Sequence, residues 1–396
     1  MKKMLLCAAA LFAGTVAFAQ SNTSAVLQTG SGNSSNVSQT GLMNNSDVNQ
    51  LGDDNTAIVD QDGTTNDSDK DQIGNDNQYR TTQDGTDNTA TTYQEGNRNL
   101  GGGSSLIWGT YQTGTNNNAD TQSVGDDNNA GTRQDGTDNQ SDINQDGNGN
   151  VANGGFWGVY QTGDRNNADV DQVGNDNTMN NLRQNGADNQ FKITQTGDNN
   201  FASSEQIGDR NLGGGLSLIW GINQQGNDNT ATNSSVGDDN NSGSGQYGDF
   251  NNGVIEQVGN NNDANGGFFG NYQVGNSNDA YIGQFGDFND AQNTSIGDNN
   301  VASTTQDGNS NVSTTNQNGD MNNSDVDQIG DTNNSDVDQI GDSNGSIVLQ
   351  DGLSNMSTVL QDGNSNMSNV SQTGTTHVST VTQLGNGNGS IVTQNN

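Results

Sequence analysis

The side chains in this sequence with the means to do chemistry are carboxylates. Asp120, Asp142 and Asp169 occupy one outward position on alternate units of a repeated pattern, and carboxylates stacked at strand spacing offer the oxygen ligands that Ca²⁺ takes. The competing role is solvation, since outward charge keeps a strand-rich chain from premature aggregation. No metal site is therefore assigned, and these three aspartates stand as the metal candidates. The calcium-binding nonapeptide solenoid needs a period of nine, whereas the period here is eleven. His377 is the single histidine, with no Ser or Cys placed beside it as a nucleophile, so no catalytic residue, no cofactor and no enzyme activity is expected.

The elements that would position such groups follow from internal spacing. Gln28, Gln39, Gln50, Gln61, Gln72, Gln83 and Gln94 stand eleven apart, and the interval returns from Gln306 through Gln317, Gln328, Gln339, Gln350, Gln361, Gln372, Gln383 and Gln394. The register persists between these runs, with Ser123, Ser235 and Ser295 replacing three anchors. Before the C-terminus each anchor has Gly two positions later and Asn five later, except where His377 takes the Asn place. Between Asn and the next Gln the pattern alternates with a period of two, as in Asn322, Ser324, Val326 and Gln328, which marks a half-buried strand. The G-x-x-N segment is turn chemistry, because Gly accepts positive φ and Asp or Asn side chains stabilise turns.

Two such units make one coil of about 22 residues, and coils stack at roughly 4.8 Å. The expected fold is all-β, a two-sheet β-solenoid of the cross-β, amyloid type, with about 16 coils in a rod of order 75 Å. Asp325, Asp327, Asp336 and Asp338 point outward as its solvated skin, because successive strand side chains face opposite ways. Lys70 breaks this rule by falling on an inward slot, where an unpaired ammonium is costly and weakens the stack.

Composition sets bounds on partners. The 396 residues hold 56 Gly, no Pro and 26% hydrophobic residues, with a formal net charge of -37, values that in a non-repetitive chain predict disorder. Stacked amides, each net hydrogen bond contributing about 1 kcal/mol, overturn that forecast. Only ten Lys and Arg are present, which argues against nucleic acid and anionic membranes as partners. Residues 1–19 read as a secretory signal with Lys2, Lys3, an apolar run and Ala17-Phe18-Ala19 before the cut. Its removal would take away the one cysteine, Cys7. Residues 20–396 form the repeat domain, and no later run is long enough to insert in a membrane.

The Q-x-G-x-x-N strand-turn unit resembles the curlin repeat of curli fibre subunits, over essentially the whole mature chain. The resemblance implies a subunit, major or minor, exported through the periplasm of a Gram-negative cell that polymerises into amyloid fibres at the cell surface, for adhesion and biofilm matrix. It implies the chain itself as principal partner, with a nucleator subunit and outer-membrane export machinery. Carried over by position, its core-stacking residues fall on Gln28, Asn33, Gln39, Asn44, Gln50, Gln328, Asn333, Gln339, Gln350 and Gln361. The rival expectation is a soluble secreted β-solenoid binding module, such as an ice- or glycan-binding adhesin, Ca-dependent if the aspartates bind metal.

Exposed strand edges at both ends, with no capping element expected, predict head-to-tail growth. Gly-rich, aromatic insertions near 100–109, 151–158, 212–221 and 263–270 interrupt the count. The first and third lie 112 residues apart, as do the second and fourth, so a block was duplicated. The block holds nine strand units, an odd number, so the second pair should project from the opposite edge of the rod.

Overall fold

A computed structural model describes residues 21–102, 109–152, 157–214, 221–265 and 269–396, and the expected signal segment lies outside them. Alternating small and β-branched residues form strands, and these assemble into two parallel sheets of 18 segments each. Sheet one runs from Thr23–Thr29 to Val378–Leu384, and sheet two from Ser34–Leu42 to Gly389–Asn395. Two levels in each sheet are split into two segments, leaving 16 levels per sheet.

Outside the insertions and a one-residue bulge between Met179 and Asn181, each strand pairs in register with the one 22 residues on, and the chain alternates between sheets. Ser324, Val326 and Gln328 stack on Ser346, Val348 and Gln350 in sheet two, while Ser335, Val337 and Gln339 stack on Ser357, Val359 and Gln361 in sheet one. The valines of both sheets meet in one cluster, Val326, Val337, Val348, Val359, Val370 and Val381. The fold class is thus the two-sheet β-solenoid read from the repeat.

The inward small slot carries a cost. Ser324, Ser335, Ser346 and Ser357 are buried, and among the described residues their hydroxyls have no hydrogen-bond partner. Ala fills the same slot at Ala57 and Ala168. Ser335→Ala is therefore expected to stabilise the rod by about 1 kcal/mol by removing a desolvated hydroxyl. A rise in denaturant midpoint checks this, and a fall would show that the hydroxyl is satisfied.

Each turn uses two left-handed residues rather than one. Gly308 sits at φ 130°, and Ser310, two residues on, at φ 58°. The second position is held by Asp in many turns, as at Asp54, Asp76 and Asp87, a residue that tolerates this region comparatively well. The outward aspartates are also less solvated than expected. Asp327 is half-buried among its ladder neighbours, and desolvation, followed by the charge of Asp325, raises its pKa.

The insertions split strands instead of lengthening turns. Leu100 bridges to Gln78 in sheet two and the strand resumes there at Thr110–Thr115, and Val151–Ala152 and Val159–Asp164 flank the second insertion in the same sheet. Leu212, Ile222–Gln225, Asp263–Ala264 and Asn271–Val274 place the third and fourth in sheet one. The odd unit count accordingly moves the duplicate pair to the opposite sheet, not to an opposite turn edge. Trp108 and Trp220 lie outside the described residues.

Candidate functional site

The residues with the strongest positional demand are the amides. An inward Gln beneath another Gln uses both amide hydrogens: Gln339 Nε2 donates to Gln361 Oε1 on the next level at 2.9 Å and to the Asn323 carbonyl across the coil at 2.9 Å. Gln328 does the same toward Gln350 and Val312, while Gln350 and Gln361 continue the two columns to Gln372 and Gln383. Ser123, Ser235 and Ser295 keep the contact, donating to Gln145, Gln257 and Gln317. A Ser is too short to accept from the level below, and Gln94 Nε2, beneath Ser123, has no partner among the described residues.

The Asn column ties turn to turn. Asn333 accepts at Oδ1 from the Asn355 backbone N–H at 3.0 Å, and its Nδ2 donates to the Gly352 carbonyl at 3.1 Å. His377 enters this column through its backbone N–H, which donates to Asn355 Oδ1, while its Nε2 lies 3.1 Å from the Thr373 carbonyl. Asn44, Gln50, Gln328, Asn333, Gln339, Gln350 and Gln361 are buried. Asn33 and Gln39 are half-buried and Gln28 is exposed, because they lie on the first coil, yet Gln28 and Gln39 already donate to Gln50 and Gln61 at 2.7 and 2.8 Å.

A further ladder runs along the turns. Where Asp or Asn follows the turn Gly, its side-chain oxygen accepts from the N–H of its counterpart one level below, as when Asp320 Oδ1 accepts from Asp298 N at 2.8 Å and Asp342 Oδ1 from Asp320 N at 3.0 Å. The recurrence of Asp or Asn directly after Gly was the sequence signal for it. These carboxylates build backbone structure in addition to carrying charge.

Asp120, Asp142 and Asp169 do stack on successive levels of sheet one. Burial first, then the neighbouring Asp120 and Asp169 charges, pushes Asp142 up to about 6. Lys192 caps the row, 2.8 Å from Asp169 and 2.6 Å from Asp171. Among the described residues no group of three or more His, Cys, Asp or Glu is arranged to hold a metal.

Lys70 is fully buried, as its slot requires, but it has partners. Its Nζ donates to Thr81 Oγ1 across the coil and lies 4.7 Å from the Tyr79 ring centroid, within cation–π range. Burial lowers its pKa from 10.5 to about 7. Tyr79 fits a small-residue slot because Gly101 and Gly109 make room, and Phe191 fits its slot against Gly213 and Gly221. The glycines flanking two insertions are thus counterparts of two oversized core rings.

Geometry of this kind, with like side chains superposed on most levels, fits a structural repeat protein, and among the described residues no helix is long and apolar enough to cross a membrane. The family model of the curlin associated repeat matches residues 158–180, in keeping with the repeat unit read along the chain. No curated protein matches the chain.

Proposed function

We propose that this protein is a secreted structural subunit that stacks head-to-tail into cross-β fibres at the cell surface, for adhesion and matrix. One observation carries the reading: in each sheet, stacked pairing runs from the first described strand to the last, with a single bulge between Met179 and Asn181. Among the described residues Thr23–Thr29 pairs only with Asn45–Leu51, and Gly389–Asn395 only with Met367–Thr375. A second copy set one coil beyond Val378–Leu384 would bring its Gln28 onto Gln383 and its Gln39 onto Gln394, continuing both columns. Unpaired edges of this kind template further strands. The likeness to curli subunits supports a nucleator and an outer-membrane export pore as further partners.

Incubation of the mature chain with thioflavin, followed by fibre diffraction, tests the reading. Fibres with a reflection near 4.8 Å are expected, and Val26→Lys, a change on the first strand, should slow elongation about tenfold or more by placing a charge in the junction. A persistent β-rich monomer would overturn the polymer and leave the binding-module reading.

A further inference from the structure

The duplicated block has left an aromatic patch on each face of the rod, and the two patches differ in charge. On sheet two, Tyr111, Arg133 and Tyr160 stack on consecutive levels, followed by Arg183. The Arg133 guanidinium lies 5.4 Å from the Tyr111 ring, 5.0 Å from Trp157 and 5.1 Å from Tyr160, with its Nε held by Asp135 at 2.7 Å. Arg183 is held by Glu205 at 2.8 Å.

The counterparts 112 residues on, in sheet one, read differently. Gly245 stands in the place of Arg133, and the Phe269 ring packs where a Gly245 side chain would be, 2.6 Å from an added Cβ. Phe269, Tyr272 and Tyr247 form a continuous ring cluster, with centroids 6.3 and 5.7 Å apart. On the same face Asp263 stacks on Asp290, and burial and then the Asp290 charge push Asp263 up to about 6. Residues 211–396 contain no Lys or Arg.

We propose that the Arg133 patch of one copy docks on the Tyr272 patch of a second copy, joining rods side by side, sheet two against sheet one. Aromatic and Arg side chains are the groups most enriched at protein interfaces. Charge sets the partner: the cations belong to residues 70–210, and sheet one around Tyr272 offers carboxylates without a cation of its own. Since the two patches are different surfaces on opposite faces, the contact is heterologous and repeats openly, giving bundles rather than closed dimers. Nine strand-turn units separate Arg133 from Gly245, so neighbouring rods are staggered by about 22 Å at ~4.8 Å per coil. The contact needs only rods, and it rests on the fibre reading solely for its repetition along a polymer.

The test mixes two singly substituted mature chains, Tyr160→Cys and Tyr272→Cys, under oxidation, with bundle width followed by electron microscopy and axial growth by thioflavin. Disulfide dimers are expected in the mixture and not in either chain alone. Arg133→Glu should abolish both the dimers and the bundles while thioflavin growth stays within twofold of the parent, and Arg133→Lys should retain bundling. Equal self-linking of Tyr160→Cys, or unchanged bundling by Arg133→Glu with a parent-like circular dichroism spectrum, would overturn the contact. If the chain does not polymerise, sedimentation reads the staggered pair directly, so failure of the lateral contact is separable from failure of the fibre.

Discussion

Gly308→Ala is expected to destabilise the rod by about 3 kcal/mol or more and to stall its assembly. Two independent costs converge at this position. At φ 130° the Gly308 backbone lies where L side chains rarely go, a strain of about 1–3 kcal/mol. An added Cβ would also fall 2.0 Å from the Gly330 carbonyl oxygen one level above. That oxygen accepts from Asn311 Nδ2 at 2.8 Å, so moving it aside also breaks a rung of the Asn column, worth about 1 kcal/mol. Gly345→Ala is the matched control, because it has no left-handed φ and its added Cβ would meet only Met367 at ordinary contact distance, 3.9 Å. Its effect should stay within about 0.5 kcal/mol. Denaturant midpoints of the two variants check the contrast, and a Gly308→Ala rod as stable as Gly345→Ala would refute the close-approach account.

The same contrast shows which parts of this fold a linear sequence displays. Strand, turn and inward face were legible because the period is short and repeats: Asn322, Ser324, Val326 and Gln328 announce one buried face wherever they recur. The coil length followed from facing two eleven-residue units, and in-register pairing then placed every amide on its own kind. What stayed hidden depends on contacts across the coil or between distant levels. Ser310 and its equivalents adopt left-handed backbone with side chains of many types, so only the frequency of Asp and Asn hinted at it. That Tyr79 fits a small-residue slot is visible only in three dimensions, where Gly101 and Gly109 vacate the space around its ring. The split strands at the insertions were illegible for another reason, since Gly-rich aromatic segments fit a lengthened turn and an interrupted strand equally well by pattern. Asp120, Asp142 and Asp169 were placed in one row correctly, but the row's cap, Lys192, comes from the next level and is visible only once the sheet is stacked.

Lys70→Met is expected to raise stability at pH 7 by several kcal/mol and to remove a pH dependence that the parent shows. The parent buries an amine whose folded pKa is lowered from 10.5 to about 7 by desolvation, with Asp69 opposing the shift. At about 1.4 kcal/mol per unit, the full penalty is about 5 kcal/mol. The sign follows from proton uptake: the unfolded chain binds a proton at Lys70 up to pH 10.5, whereas the folded chain releases it above about 7, so parent stability climbs as pH rises from 7 toward 10.5 and is flat in this group below 7. Thr81 and the Tyr79 ring soften the burial without supplying a counter-charge. Met has similar length and no charge, so the variant should already have at pH 7 most of the stability that the parent gains only in alkali. Tyr79, whose pKa burial raises, and Asp69, raised by burial and then by Asp71, face or adjoin the site. Burial holds Tyr79 above its ordinary value of 10, so it stays neutral through pH 9, and both groups are retained in Lys70→Met, so their effect is common to the two chains. Denaturant midpoints at pH 7, 8 and 9 should therefore rise for the parent and stay level for Lys70→Met, with fibre elongation at pH 7 faster for the variant. Equal slopes for the two chains would mean that Lys70 keeps its proton on folding, and a slower variant would mean that the Thr81 contact helps assembly more than the buried amine hinders it.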